Sequence, residues 1–250
     1  MTVLRAVGLF KSFGGVHAVR DVSFDVAAGE LLAMIGPNGA GKSTCFNLVN
    51  GQLAPDSGQV LLEGRPIAGL APRAIWRLGV GRTFQITATF GSMTVRENVQ
   101  VALLSHTRRL ASPFASAPRL EHARADALLA QVGMLEQAAR PAAVLAYGDL
   151  KRLELAIALA NRPRLLLMDE PTAGMAPGER AALMRLTASL ARTSSIAVLF
   201  TEHDMDAVFT HADRVIVLSD GAVIAQGTPA QVRADPRVRE AYLGTEAADA

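Results

Sequence analysis

An apolar run that leads directly into a glycine-rich loop constrains the fold of this chain more than any other feature. The run covers residues 31–35, and the loop covers residues 36–44 with the sequence Gly-Pro-Asn-Gly-Ala-Gly-Lys-Ser-Thr. The loop fits the phosphate-loop pattern G-x-x-x-x-G-K-[ST] without a mismatch. A short apolar run before glycines is typical of a buried strand that ends in a tight turn. The sequence therefore predicts a strand, a loop and a helix that begins near Gly41.

The residues of this loop suit a phosphate ligand for separate physical reasons. Glycines allow the backbone to curl so that successive N–H groups point at one phosphate, and the positive end of the following helix favours the same anion. Lys42 is expected to reach the β- and γ-phosphates, and the Ser43 hydroxyl to ligate Mg²⁺. A glycine-rich turn with a chance Lys-Ser pair is the alternative, but the strand and helix around the loop argue against it. The predicted ATP-binding residues are Gly36, Asn38, Gly39, Ala40, Gly41, Lys42, Ser43 and Thr44.

Composition narrows the class of protein. The chain has 250 residues, half of them hydrophobic, but no apolar run approaches the roughly eighteen residues that span a bilayer. The first residues do not resemble a secretory signal, so a cytoplasmic location is expected. The single cysteine, Cys45, cannot form an internal disulfide and is interpreted as a packed residue. A net charge of +2, without a dense basic block, gives no support for nucleic-acid binding.

The order of patterns along the chain predicts an α/β fold. Short alternating runs at residues 4–9 and 22–26 indicate an antiparallel β region before the phosphate-loop strand. Residues 92–161 have apolar positions at helical spacing, with a loop expected at 111–118. Strands and helices then alternate, which predicts a parallel sheet with helices on its faces. The expected elements are strands at 165–168 and 196–200 and helices at 178–192 and 203–211.

A second group of polar residues follows buried strands downstream of the loop. Asp169 and Glu170 come directly after one predicted strand, and His203 follows the next strand closely. Ligands of open α/β sheets bind at the carboxyl ends of the strands. Asp169 is therefore expected to hold Mg²⁺, Glu170 to activate the attacking water, and His203 to contact the γ-phosphate. Taken alone, an Asp-Glu pair is most often a solvated turn and a lone histidine is most often structural; the strand context favours function.

With these motifs in order, the chain resembles the ATP-binding subunit of an ABC transporter over nearly its whole length. Residues 36–44 resemble the Walker A loop and residues 165–170 the Walker B strand with its catalytic glutamate. The resemblance implies that Gln85 bridges metal, water and the transporter contact, and that His203 is the switch histidine. It also implies that Phe13 stacks on adenine, and that Gly148, in the signature loop, binds the nucleotide of a partner subunit in trans.

The resemblance implies a specific architecture. The expected fold is a phosphate-loop NTPase core, a mostly parallel sheet flanked by helices, with an N-terminal antiparallel β region and an inserted helical subdomain. Residues 1–250 would form a single ATPase domain, with residues 1–91 and 162–250 in a RecA-like core. Residues 92–161 would form the helical subdomain that carries the signature loop, and residues 229–250 a C-terminal tail.

The chain departs from the family pattern in two places. The usual signature is L-S-G-G-Q, of which Leu145 and Gly148 match; Ala146, Tyr147 and Asp149 replace the serine, the first glycine and the glutamine. The helix after the signature is expected to begin at Asp149. The loop after the Walker B strand usually ends in aspartate, where this chain has Ala176. Hydrolysis at the site formed by the intact Walker residues is expected to survive if a partner supplies a good signature.

Further similarities point to one branch of the superfamily. Residues 82–85, 93–99, 202–205 and 241–244 are similar to the branched-chain amino acid uptake branch. The resemblance implies a second ATPase subunit in a hetero- or homodimer, two membrane permeases, and indirectly a periplasmic solute-binding protein. The expected location is the cytoplasmic face of the inner membrane, as a peripheral subunit.

Several alternatives remain open at this point. A related urea or amide importer and the lipopolysaccharide-export ATPase share some of these motifs. A soluble ABC ATPase without a membrane partner is a third alternative, but the coiled-coil insert or second ATPase domain usual in such proteins is absent from this sequence. A non-hydrolysing nucleotide-dependent scaffold is a fourth, suggested by the altered signature and opposed by the intact Glu170.

Overall fold

The computed structural model describes residues 1–83, 89–107 and 121–246. The strands are β1 (Thr2–Phe13), β2 (Val16–Ala27), β3 (Leu31–Ile35), β4 (Ser57–Leu62), β5 (Arg65–Pro66), β6 (Val80–Thr83), β7 (Leu165–Asp169), β8 (Ala197–Thr201), β9 (Arg214–Ser219) and β10 (Ala222–Gly227). The helices are α1 (Lys42–Val49), α2 (Pro72–Arg77), α3 (Val95–Thr107), α4 (His122–Gln131), α5 (Tyr147–Leu159), α6 (Pro177–Ser194), α7 (Met205–His211), α8 (Pro229–Ala234) and α9 (Pro236–Glu246). Short 3₁₀ turns lie at Leu135–Gln137 and Ala142–Val144.

The first sheet is the antiparallel region expected near the N-terminus. Its strand order is β2-β1-β4-β5. The long hairpin of β1 and β2 closes through Gly14 and Gly15, both with positive φ, and Phe13 pairs with Val16 across the turn. A type I′ hairpin loop has positive φ at both of its two residues, which glycine adopts at low cost. Both strands of the hairpin are longer than the apolar runs at 4–9 and 22–26. Their backbone pairing continues through the polar residues between these runs and the turn.

The second sheet carries the phosphate-loop strand at its centre. Its order is β10-β9-β3-β8-β7-β6, and β3 pairs in parallel with both β8 and β9. All five residues of β3 are buried, as expected for a parallel strand covered on both faces. Only β10 among these strands runs antiparallel, beside β9. The fold-class prediction of a mostly parallel sheet with an antiparallel β region is confirmed.

The side chains of β3 separate two halves of the hydrophobic core. Leu31 and Ile35 point to a cluster that includes residues of α3, α4, α5 and α6. Leu32 and Met34 point to a cluster formed with the antiparallel sheet and α1. Successive residues of a strand face opposite sides of the sheet, so one five-residue strand joins both clusters. The position of the phosphate loop is thereby fixed by buried packing on both faces.

Two predicted helix starts were wrong. The helix after the signature begins at Tyr147 and not at Asp149, because Ala146 is the last extended residue before it. The helix expected from His203 begins at Met205, where the Asp204 side chain accepts hydrogen bonds from the backbone N–H groups of Asp206 and Ala207. A carboxylate at this position satisfies N–H groups that have no partner within the helix. His203 therefore lies in the loop before the helix.

Other predictions concern segments between and beyond these elements. The helical pattern of residues 92–161 corresponds to α3, α4 and α5 with the two 3₁₀ turns. The loop predicted at 111–118 lies outside the described residues. The tail expected from residue 229 contains α8 and α9, and a capping box of Thr228 and Gln231 begins α8. Within the described ranges, no helix has the length and apolar character needed to cross a membrane.

Gly81 of β6 offers a test of how tightly the helical segment packs on the sheet. An added Cβ at Gly81 would lie 2.7 Å from the carbonyl oxygen of Ala158 in α5 and 3.2 Å from Pro163 Cβ. Because one neighbour is backbone, Gly81→Ala should lower the free energy of unfolding by about 1–3 kcal/mol. Urea unfolding followed by circular dichroism measures this difference.

Gly178 of α6 provides the matched control, since an added Cβ there would approach no described atom within 4 Å apart from its chain neighbours and the backbone of its own helix. Gly178→Ala should be neutral or should stabilise the protein by up to about 1 kcal/mol, because alanine is the better helix former. Equal urea midpoints for the two variants would contradict the tight contact between β6 and α5.

Candidate nucleotide-binding site

The phosphate loop lies at the carboxyl edge of the parallel sheet, where β3 ends. A cavity of about 200 Å³ opens beside it. The residues that line the cavity are Ala18, Asn38, Gly39, Ala40, Gly41, Lys42, Ser43, Thr44, Glu170 and His203. The structure thus brings the loop together with two of the side chains expected to act in hydrolysis. Gly36 is the loop residue of the predicted set that does not line the cavity; it forms the base of the loop.

Two glycines of the loop are required by close backbone contacts. Gly36 has φ of 150°, and a Cβ there would lie 2.1 Å from the carbonyl oxygen of Leu218 in β9. Gly41 has φ of 98°, and a Cβ there would lie 2.3 Å from the carbonyl oxygen of Ala18 in β2. No L side chain fits either position without moving backbone. The loop is therefore held between the two sheets at its two ends.

Lys42 is turned into the loop. Its Nζ donates to the carbonyl oxygens of Gly36 at 2.6 Å and Pro37 at 2.9 Å, and the residue is almost fully buried. Burial lowers the pKa of Lys42, while the negative charges of Glu170 and Asp169 oppose that shift. These hydrogen bonds go to carbonyl oxygens, which carry only partial charge, so they compensate the ammonium charge in part. A phosphate in the cavity would supply a full anionic partner.

Asp169 ends β7 with its carboxylate fixed by neighbouring strands. Thr201, at the end of β8, donates its hydroxyl to Oδ1 at 2.7 Å, and Arg82 Nη2 lies 3.8 Å from Oδ2. The Ser43 hydroxyl and this carboxylate are hard oxygen donors, which fit Mg²⁺ bound by one or two protein groups plus phosphate oxygens. Among the described residues, no cluster of three His, Cys, Asp or Glu side chains could hold a metal alone. Phosphate oxygens would add to the two protein oxygens if a cation is held here.

Glu170 and His203 form a pair at the mouth of the cavity. His203 Nε2 lies 2.8 Å from Glu170 Oε1. Glu170 has a left-handed backbone with φ of 48°, and its N–H faces the hydroxyl and carbonyl oxygens of Thr201 at 3.1 and 3.2 Å. A non-glycine residue held in this conformation is uncommon and costs energy, which the contacts with β8 offset. The backbone turn aims the carboxylate at the phosphate loop.

Glu202 and Thr172 connect the segments that follow β7 and β8. The sequence analysis did not predict a role for either residue. The Thr172 hydroxyl and N–H donate to Glu202 Oε1 at 2.7 and 2.9 Å, with both residues buried. Burial raises the pKa of Glu202, and the hydrogen bonds from Thr172 oppose it. The pair fixes the loop after β7 to the loop before α7. Polar residues at the ends of adjacent strands, such as Thr201 beside Asp169, form a pattern that could have predicted these hydrogen bonds.

The altered signature packs within its own chain. The Tyr147 ring lies over Gly174, where an added Cβ would be 3.6 Å from Cε1, and Asp149 accepts from Gln137 Nε2 at 2.9 Å. An added Cβ at Gly148 would lie 2.8 Å from Glu179 Oε1 at the start of α6. Ala176 precedes that helix without a side-chain cap. Gly148 does not line the cavity of its own chain, so its predicted role in trans remains a prediction.

Neither Phe13 nor Cys45 lines this cavity. Phe13 lies at the tip of the first hairpin, 46% exposed, with Lys11 Nζ 5.5 Å from its ring centroid. It is free to stack on a ligand, and its role in adenine binding remains a prediction. Gln85 lies outside the described residues. Cys45 is fully buried, and burial raises the pKa of its thiol to about 12, so it is a packed residue as expected.

Comparison with known proteins gives the family. The ABC transporter family model matches residues 19–173, and the branched-chain amino acid ATP-binding cassette transporter model matches residues 222–248. The high-affinity branched-chain amino acid transport ATP-binding protein LivG of Escherichia coli K12 is 41% identical over 97% of this chain and 98% of its own. BraF of Pseudomonas aeruginosa, with the same description, is 42% identical over 97% of this chain and 98% of its own.

A solved structure agrees with the fold. The ADP conformation of MJ1267, an ATP-binding cassette of an ABC transporter, superimposes with a TM-score of 0.87 at 32% identity. The match covers 98% of this chain and 99% of MJ1267. Together with the phosphate loop and the carboxylates at the ends of its parallel strands, these matches show that the chain belongs to the ABC transporter family, as one of its ATP-binding, ATP-hydrolysing subunits.

Proposed function

We propose that this chain powers a membrane importer of branched-chain amino acids by hydrolysing ATP at the cytoplasmic face of the inner membrane. The cavity that joins Lys42, Glu170 and His203 supports the hydrolytic part of the proposal. The solute class rests on two similarities: LivG and BraF match over nearly the full length, and the branched-chain family model matches the C-terminal segment. The transported solute itself would not touch this subunit.

Each residue of the cavity would have a separate role in ATP binding. The N–H groups of residues 38–44 would face the phosphates, and Lys42 would exchange its carbonyl partners for phosphate oxygens. Ser43 and Asp169, with Gln85, would hold Mg²⁺, which neutralises phosphate charge when bound. Phe13 would contact the adenine ring. In this arrangement the protein contributes fixed position and charge, which is what phosphoryl transfer needs most.

Glu170 and His203 would act on the attacking water and the terminal phosphate. In the present structure they contact each other, so each already has a hydrogen-bonding partner at the cavity mouth. When a γ-phosphate enters, His203 would turn to it, and Glu170 Oε1 would accept from water in place of His203. Thr201 would keep the Asp169 carboxylate and the Glu170 backbone in place during that exchange.

The working unit we propose contains a second ATPase subunit and two permeases. Two subunits would meet head to tail, so that Gly148 of one faces the nucleotide bound by the phosphate loop of the other. Residues 92–161 would form the helical subdomain that carries the signature, residues 1–91 and 162–250 the core, and residues 229–250 the tail. Gln85 would lie near the permease contact, and a periplasmic solute-binding protein would act only through the permeases.

Three neighbouring functions compete with this proposal. A urea or amide importer would use the same cavity and differ in its permeases. Lipopolysaccharide export is less favoured, because the branched-chain family model matches residues 222–248. A nucleotide-dependent scaffold without hydrolysis is opposed by the position of Glu170 at the cavity, 2.8 Å from His203.

Glu170→Gln tests the hydrolytic assignment. The amide keeps the shape of the side chain but cannot take a proton from water, so phosphate release should fall by roughly 10²-fold or more. ATP should still bind and persist, and a stable ATP-bound dimer with the partner subunit should appear in size-exclusion chromatography. Lys42→Ala is the matched control, because it should lose ATP binding and form no such dimer. Normal phosphate release by the Glu170→Gln variant would show that another group orients the water.

The altered signature leads to a prediction of unequal sites. We expect the site built from this chain's Lys42 and Glu170 to be the more active one when the partner has an intact signature. A neutral hydrogen bond is worth about 0.5–1.5 kcal/mol net, so the missing serine hydroxyl should slow the other site without abolishing it.

The comparison uses the assembled transporter with the Glu→Gln change in one ATPase subunit at a time. Glu170→Gln should remove most of the phosphate release, and the change in the partner should remove less. Equal losses would show that the altered signature works as well as the usual one.

A further inference from the structure

The first turn of helix α6 lies against the loop that carries His203. Arg180, in that turn, forms an ion pair with Asp204, the residue directly after His203. Its Nη1 donates to Asp204 Oδ2, and both side chains are partly buried. Helix α6 also contacts α7, which begins just beyond Asp204. The ion pair therefore joins the segment after β7 to the segment after β8 at a point beside His203.

Asp204 uses both oxygens of its carboxylate. Oδ1 accepts from the backbone N–H groups of Asp206 and Ala207 at 3.0 and 3.2 Å, at the start of α7, and Oδ2 accepts from Arg180. Hydrogen bonds between ionised groups are stronger than those between neutral groups. A planar carboxylate held at both oxygens has little freedom to rotate. The Asp204 backbone is therefore fixed between the starts of two helices.

Both chain neighbours of His203 are tied to the segment that follows β7. Glu202, before it, accepts from the hydroxyl and N–H of Thr172 at 2.7 and 2.9 Å. Asp204, after it, accepts from Arg180. A loop attached on one side only could pivot about that attachment. The second attachment, through Arg180, therefore determines the direction in which the His203 side chain leaves the backbone.

The direction of the His203 side chain depends on this backbone because the imidazole itself is half exposed. Its Nε2 lies 2.8 Å from Glu170 Oε1, the contact that a terminal phosphate would replace. A side chain that exchanges one partner for another needs a fixed backbone, since a misplacement of about 1 Å can cost 10²-fold in rate.

We propose that Arg180 is a positioning residue for ATP hydrolysis, which holds the backbone of His203 through Asp204 so that the imidazole reaches the terminal phosphate. Arg180 does not line the cavity beside the phosphate loop, so it would not contribute to the binding of ATP. The proposal rests on the role of His203 in the proposed function and is independent of the transported solute.

Arg180→Gln in the assembled transporter tests the proposal, since glutamine is also a good helix former but carries no charge. The kcat for phosphate release should fall about three- to tenfold while the KM for ATP stays within about twofold, as for a contact that matters only in the transition state. Arg180→Lys should recover part of the lost kcat, because it restores the charge. Asp204→Asn should match Arg180→Gln, because asparagine can still cap α7 but lacks the charge that pairs with Arg180.

A second background separates positioning of His203 from a general structural effect. In a His203→Ala variant, adding Arg180→Gln should lower the residual phosphate release by less than twofold, because the group that Arg180 positions is gone. A three- to tenfold fall in both backgrounds would overturn the proposal.

Arg192→Gln, in the last turn of α6, is the matched control. Arg192 pairs with Asp213 at 3.2 Å on the exposed surface, so the change removes the same charge from the same helix away from His203. Its kcat and KM should equal those of the wild type. Wild-type kcat in Arg180→Gln, in a transporter that His203→Ala slows, would overturn the role of Arg180 alone. A His203→Ala variant that hydrolyses ATP at the wild-type rate would overturn the proposed role of His203 and that of Arg180 with it.

Discussion

The phosphate loop is held by backbone contacts that leave no room for side chains, and the remaining site residues are arranged around it. Gly36 touches the backbone of β9, and Gly41 touches the backbone of β2. These contacts fasten the loop to the parallel sheet at one end and to the antiparallel sheet at the other. Backbone contacts of this kind cannot adjust by a rotamer change, so the loop has little freedom to change its shape. The turn can then bind an anion with little further ordering.

The acidic side of the site is built by neighbouring parallel strands. Strands β7 and β8 lie side by side, which puts Asp169 opposite Thr201 and allows the hydroxyl to fix the carboxylate. Burial of Glu202 against Thr172 connects the loops that follow these two strands. His203 and Glu170 therefore lie on two segments that the hydrogen bonds between Thr172 and Glu202 hold together. An entering phosphate can separate their side chains while the backbone that holds each remains in place.

The main fold and the residues of the phosphate loop could be predicted from the sequence. The spacing of the glycines and the lysine reflects requirements of backbone conformation and charge that few other structures share. The strand-end positions of Asp169, Glu170 and His203 could also be predicted, because periodicity marks where buried strands end. The predicted starts of the helices that begin at Tyr147 and Met205 were wrong, because a single capping or extended residue decides each boundary. The roles of Thr172 and Glu202 were missed because they depend on which segments become neighbours, and contacts between distant segments leave no local pattern.

The proposed function is that this subunit converts ATP hydrolysis into uptake of branched-chain amino acids. The most direct measurement is the uptake of radiolabelled leucine into proteoliposomes that contain the assembled transporter, with ATP enclosed in the lumen and the solute-binding protein added outside. With ATP on the side of this subunit, leucine should accumulate on that same side against its gradient, and competing urea should have no effect. ATP hydrolysis that proceeds without leucine movement, or movement of urea in place of leucine, would contradict the account.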